Sequence, residues 1–277
     1  MKQISEINKW DDRPIGVFDS GLGGLTVVKQ IQKLLPNEDI VYLGDTARVP
    51  YGTRSKSVVE KFSLDDANFL LTQNVKIVVI ACNTASALAA KALKNKLNIP
   101  VFEVISGAST HAANLTKNKK IGVIGTRGTI ESSAYEKNIK LFNKNIKVFS
   151  KACPLFVPFI EEGEIKGGVL QSVVDNYLKD IKAERVDTLV LGCTHYPIIK
   201  DLIQISMMGK NVTLVDPGIV EAKNILEYLT KQSALNKQKS VGKTNYYVTD
   251  ITKRFKGVAE MFLGAKIHGS LKKVVID

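Results

Sequence analysis

Two segments of this chain end an apolar run on a cysteine and follow it at once with small polar residues: VVIACNTAS at 78–86 and LVLGCTHYP at 189–197. If each run is a central strand of a parallel sheet, Cys82 and Cys193 stand at strand tips, where such sheets bind ligands. A thiolate is a base and a thiol an acid, with a pKa near 8.5 that surroundings tune readily. Two thiols facing each other across a cleft can take a proton from one face of a carbon and return one to the other. A lone free cysteine is more often plain core, but two in matched settings favour chemistry.

The neighbours extend the site. Asn83 and Thr84 open a helix after Cys82, where free N–H groups and the helix dipole favour an anion, carboxylate or phosphate. Thr194 and His195 follow Cys193, and a histidine two residues from a thiol can be its proton partner. FDSGLGGLT (18–26) sets Asp19 and Ser20 at a strand end before a glycine-rich turn. Its glycine order does not fit the nucleotide-binding motifs. Asp19 can pair with an ammonium, tune a thiol or cap a helix. GDTARVPYG (44–52) offers Tyr51 and Gly52 as loop contacts, or is an ordinary turn. In ACPLFVPFIEEGE (152–164), Glu161 or Glu162 can be a site carboxylate or lie on a solvated helix face, and Cys153 reads as structural.

Something must position these residues, and apolar β-branched runs supply it. Strands are expected at 15–19, 39–45, 76–81, 101–105, 120–125, 146–151, 187–192, 212–216, 245–250 and 273–276. Helical periodicity falls at 23–35, 55–73, 84–96, 129–142, 167–183, 218–232 and 252–263. This alternation implies an α/β fold of mainly parallel sheets flanked by helices. IGVFDS from Ile15 answers IGVIGT from Ile121, a shift of 106, and Cys82 answers Cys193, a shift of 111. Two matches in one order predict two similar domains related by a pseudo-twofold, with the active site in the cleft between them. Residues 1–110 plus 216–277 form the first and carry Cys82; residues 111–215 form the second and carry Cys193.

Bulk properties narrow the class. With 277 residues, 44% hydrophobic and 24% charged, the chain has the balance of a soluble globular protein with room for a large core. No apolar run reaches the roughly 18 residues of a membrane span. The opening MKQISEINKW has no apolar targeting stretch, so a cytoplasmic protein with no membrane partner is expected. The net charge of +12 raises a nucleic-acid partner. However, the lysines are scattered and only six arginines are present, with no basic stripe, which argues against one. A basic binding protein stays as the rival of a different class. Three cysteines argue against a disulfide framework, and three histidines against structural zinc.

Together, GVFDSGLGGLTV, GDTARVPYG, ACNTASA, CPLFVPFIE and LGCTHYP resemble the glutamate racemases of the aspartate/glutamate racemase superfamily. The blocks come in the family's order and run from about Arg13 to residues 262–264. The resemblance implies two α/β domains and an isomerase that needs neither pyridoxal phosphate nor metal. It implies interconversion of L- and D-glutamate for peptidoglycan synthesis. Cys82 is then the base towards D-glutamate and Cys193 the base towards L-glutamate. Asp19 assists the first thiol and His195 the second, with Glu161, which directly follows the FVPFI run, beside it. Substrate contacts fall on Asp19, Ser20, Tyr51, Gly52, Asn83, Thr84, Thr194 and His195. Homodimers are usual in the family, and some members also inhibit DNA gyrase. A sister two-thiol enzyme such as an aspartate racemase is the near alternative.

Overall fold

The computed structural model describes residues 11–207 and 211–276; residues 1–10 and 277 of the expected first domain lie outside the described residues. Strands and helices alternate along the chain. The first part runs β1 (Ile15–Asp19), α1 (Leu25–Leu34), β2 (Ile40–Gly44), α2 (Lys56–Thr72), β3 (Ile77–Ile80), α3 (Asn83–Lys96), β4 (Val101–Glu103) and α4 (Val104–Leu115). The second runs β5 (Lys120–Gly125), α5 (Arg127–Glu131), α6 (Ala134–Phe142), β6 (Lys147–Ala152), α7 (Phe156–Glu161), α8 (Gly168–Ala183), β7 (Thr188–Gly192), α9 (Lys200–Ser206) and β8 (Thr213–Val215). The chain closes with α10 (Pro217–Lys231), β9 (Thr244–Val248), α11 (Phe255–Leu263) and β10 (Leu271–Lys273).

Every strand pairing among the described residues is parallel. One sheet has the order β10-β9-β2-β1-β3-β4 and the other β6-β5-β7-β8. The shared core order, second strand, first, third, fourth, is the three-dimensional form of the repeat. Ile15 pairs with Ile77 in one sheet, and Ile121 with Thr188 in the other. Cys82 and Cys193 each lie five residues beyond those partners, so the two cysteines leave their sheets at equivalent places. Strands β1, β2, β3 and β7 are buried along their whole length, as continuous apolar runs covered on both faces should be. In β1 the faces alternate: Ile15 and Val17 pack with α1 and α10, Phe18 with α2 and α3.

Several elements depart from expectation. The apolar run at 101–105 stops being a strand at Glu103. That carboxylate accepts from the Ile105 N–H (2.7 Å) and the Ser106 N–H (3.1 Å), capping α4, which the sequence reading did not contain. Residue 110, the expected boundary, falls inside α4, which packs against α6 and α10. The helix expected over 129–142 is two, interrupted at Ser133 with φ of 55°. Helices α7 and α9 are additional. Pro158 sits in the first turn of α7, where no intrahelical N–H is lost. The last strand lies at Leu271–Lys273 rather than 273–276.

Candidate active site

A cavity of about 260 Å³ opens between the carboxyl ends of the two sheets. Ser20 and Gly21 after β1, residues 49–53 after β2, and Cys82, Asn83 and Thr84 after β3 form one wall. Thr126 and Arg127 after β5, Glu161 on α7, and Cys193, Thr194 and His195 after β7 form the other. Both cysteines thus line one cavity, each from its own sheet.

Cys82 is the residue from which α3 departs. Its Sγ accepts from the Ala85 N–H (3.4 Å), a thiol doing the work of a helix cap, and donates to Ser20 Oγ (3.4 Å). Burial, reinforced by Asp19, pushes the thiol up to about 12. At neutral pH Cys82 therefore carries its proton. Asp19 is itself buried and does not line the cavity. It sits behind Ser20, where its Oδ2 accepts from the Gly21 N–H (3.0 Å) and its Oδ1 has no protein partner. Burial raises its pKa, opposed by the charge on His195 and the Gly24 and Gly21 amides.

His195 connects the second thiol to a carboxylate. Its Nδ1 is 3.9 Å from Cys193 Sγ and 3.4 Å from Thr194 Oγ1, and its Nε2 is 3.1 Å from Glu161 Oε1. Burial opposes charge on the ring, but Cys193 and Glu161 outweigh it and push the pKa up to about 10. Glu162 is placed elsewhere: it pairs with Arg254, whose Nη2 also donates to the Glu162 carbonyl (2.8 Å). The structure thus separates two adjacent glutamates that the residues alone left open.

The glycine-rich turn brings the walls together. A Cβ on Gly23 would collide with Thr194 Oγ1 and the His195 ring, standing 2.6 Å from Cε1. Thr26 Oγ1 donates to the Thr194 carbonyl (3.0 Å) from the start of α1. Phe262 of α11 meets the His195 ring edge to face at 4.9 Å. Gly23 is needed because another chain segment lies on the turn, whereas a Cβ on Gly24 would stand 2.5 Å from the Cβ of the turn's own Asp19.

Asn83, Thr84 and Tyr51 occupy the cavity wall as expected. The Tyr135 hydroxyl donates to Asn83 Oδ1 (2.6 Å) and fixes that carboxamide. Thr84 Oγ1 lies 2.9 Å from Thr126 Oγ1, joining the two halves at the cavity. The Tyr51 hydroxyl reaches away from the cavity, to Asp45 and Asp66. Gly52 lies so close to Thr126 that a Cβ there would stand 3.0 Å from the threonine Cβ. Sequence reasoning missed Thr126, Arg127, Thr26 and Phe262. The repeat could have found Thr126, because the shift of 106 sets it opposite Ser20. Cys153 is buried in the core of the second half, its thiol pushed up by burial. Among the described residues no group of three or more His, Cys, Asp or Glu is placed to hold a metal. Among them, too, no helix is long and apolar enough to cross a membrane.

Comparison with known proteins gives this arrangement its relatives. A family model described as Asp/Glu/Hydantoin racemase matches residues 15–225. The chain is 48% identical over 261 residues to the glutamate racemase of Thermoanaerobacter pseudethanolicus, covering 94% of this chain and 97% of that protein. It is 47% identical over 265 residues to the glutamate racemase of Geobacter metallireducens, covering 96% and 97%. The crystal structure of Francisella tularensis glutamate racemase in complex with D-glutamate superposes with a TM-score of 0.90 at 44% identity, covering 96% of this chain and 99% of that one. Matched over most of its length in both sequence and structure, the chain belongs to the Asp/Glu/hydantoin racemase family.

Proposed function

We propose that this protein is a glutamate racemase that works by cofactor-independent proton transfer between two thiols. The observation that carries the reading is the pair of cysteines, Cys82 and Cys193, at equivalent sheet positions on opposite walls of one cavity. The relatives' names support glutamate as the substrate.

The α-hydrogen of an amino acid is very weakly acidic, so the site must stabilise a carbanionic state by position and electrostatics. In the L-to-D direction Cys193, as thiolate, takes the α-proton, and Cys82 delivers its own proton to the opposite face. The proton count balances: Cys193 ends as thiol and Cys82 as thiolate, the form that runs the reverse reaction. Cys82 starts protonated, consistent with a thiol pushed up to about 12. Protonated His195 donates to Cys193 through Nδ1 and to Glu161 through Nε2. Asp19, behind Cys82, disfavours negative charge on that thiol and so favours delivery of its proton to the substrate. The first-turn amides of α3 at Asn83 and Thr84 suit a carboxylate, and Ser20, Tyr51, Gly52, Thr194 and His195 complete the substrate contacts.

The same reading extends to the whole protein. The described residues of 1–110 with 216–277 form one domain and those of 111–215 the other, with α4 crossing the boundary, a division supported by β9 and β10 joining the sheet of β1. The protein is a cytoplasmic homodimer supplying D-glutamate for peptidoglycan. The test is circular dichroism of L-glutamate incubated with the protein and no added cofactor, with L-aspartate in parallel. Decay of the glutamate signal alone supports the reading; decay of aspartate alone makes it an aspartate racemase; no decay of either sets racemisation aside.

A further inference from the structure

Residues 49–53 form one side of the cavity, and what holds them lies behind them. Asp45 at the end of β2 and Asp66 in α2 are fully buried. Between them Arg48 donates through Nε to Asp45 Oδ2 (2.6 Å), through Nη2 to Asp66 Oδ1 (2.9 Å) and through Nη1 to Asp65 Oδ2 (2.9 Å). Its guanidinium stacks on Phe62 at 4.3 Å, and Phe62 in turn packs on the Tyr51 ring. Thr249 Oγ1 donates to Asp45 Oδ1 (3.0 Å) from the segment after β9. The Asp45 N–H donates to the Asp19 carbonyl (3.0 Å), so the cluster is tied to the strand tip behind Cys82.

The Tyr51 hydroxyl lies 2.6 Å from Asp45 Oδ2 and 2.9 Å from Asp66 Oδ2. A phenol has one proton to donate, yet two carboxyl oxygens face it. Two buried carboxyl groups and the half-buried Asp65 also gather around a single, half-buried guanidinium, an arrangement that disfavours a third negative charge. Both counts are satisfied by one added proton. Asp66 Oδ1 already accepts from Arg48, so the proton belongs on Asp66 Oδ2.

We propose that Asp66, Tyr51, Asp45 and Arg48 form a buried positioning network, with a directed chain from the Asp66 carboxylic acid through the Tyr51 hydroxyl to the Asp45 carboxylate, that fixes residues 49–53 as the wall orienting the substrate. Burial and the neighbouring Asp45 hold Asp66 well above the usual carboxylate range, with Arg48 and Tyr51 opposing and Asp65 adding to the rise. The residues are not catalytic: none but Tyr51 lines the cavity, and Tyr51 turns its hydroxyl away from it. The inference rests on the racemase reading only in what the wall orients.

The experiment is steady-state racemisation of L-glutamate by Tyr51→Phe, Asp66→Asn and Asp45→Asn in the full chain, with the thermal midpoint of each. Asn supplies at position 66 the donor and acceptor that a carboxylic acid supplies, so Asp66→Asn keeps KM within about twofold and the midpoint near wild type. Asp45→Asn removes the charge that Arg48 and Tyr51 need, and lowers the midpoint. Tyr51→Phe breaks the chain and raises KM roughly tenfold, the scale of one lost buried hydrogen bond, with a smaller fall in kcat. Asp66→Asn as damaging as Asp45→Asn would overturn the directed chain, and Tyr51→Phe with unchanged KM would overturn the positioning role. Should the wild type not racemise glutamate, the proposed function fails, while the midpoints of the two Asp variants still decide the chain.

Discussion

His195 is held from four sides: Cys193 and Thr194 at Nδ1, Glu161 at Nε2, and the Phe262 ring against its face. Its pKa is raised, so the charged ring persists through neutral pH and is lost as pH rises through about 10. The account therefore expects kcat/KM for L-glutamate to fall as pH climbs past that value. Glu161→Gln removes a partner that favours the charge, so the falling limb of the pH–rate profile moves to lower pH; a limb that stays put separates Glu161 from His195. Cys82→Ala and Cys193→Ala each abolish racemisation with unchanged far-UV circular dichroism, and near-wild-type turnover by either contradicts the two-base assignment. Arg127 is exposed at the cavity edge. Exposed charge pairs contribute about 0.2–1 kcal/mol, so Arg127→Gln raises KM by roughly 1.4- to fivefold. High salt narrows that gap, and a KM equal to wild type at low salt removes Arg127 from substrate capture. At this scale the cysteines were legible because a strand tip with a polar sequel is a local pattern. Thr26 and Phe262 were not, because each meets the Thr194–His195 segment only through folding, Thr26 across 168 positions of sequence.

Elements were legible where period and composition agreed and illegible where a side chain overrode them. The apolar run at 101–105 reads as one strand, but the Glu103 carboxylate satisfies two free amides and starts a helix within it. The stretch at 129–142 reads as one helix, but Ser133 adopts a left-handed conformation and divides it. The turn between β1 and α1 is governed by what lies on it. Gly23→Ala places a methyl group where Thr194 and the His195 ring stand. Turnover should fall by at least tenfold, about 1.4 kcal/mol of lost transition-state stabilisation. Steady-state kinetics decide it, and full activity would show that the walls part without cost to the chemistry. At the opposite end of the sheet, Lys76 pairs with Glu38 at 2.6 Å, both side chains buried, and donates to the Asp11 and Ala234 carbonyls. Lys76→Met strands the Glu38 charge and should lower stability by about 3–5 kcal/mol, read from urea unfolding. A loss below about 1 kcal/mol would mean that Glu38 takes up a proton or water instead.

The whole molecule was legible in outline because its architecture is repeated. Two short matches, shifted by 106 and 111 residues, became two sheets with the same core strand order and the same register at their central strands. The return of residues 216–277 to the first half is expected from the sequence, because they exceed what the second half needs; what the repeat could not give is the place of β9 and β10 at the β2 edge of the first sheet, and the packing of α11 on His195 from that return. The cavity draws its walls from both halves, so its chemistry belongs to the assembled molecule rather than to either sheet. The most direct test of two-base transfer follows the early phase of L-glutamate racemisation in D2O by mass spectrometry of the separated enantiomers. With one thiol removing the proton and another delivering deuterium to the opposite face, D-glutamate forms carrying solvent deuterium while the remaining L-glutamate stays unlabelled. Deuterium entering both enantiomers equally from the start would mean that one base serves both faces, and would contradict the roles given to Cys82 and Cys193.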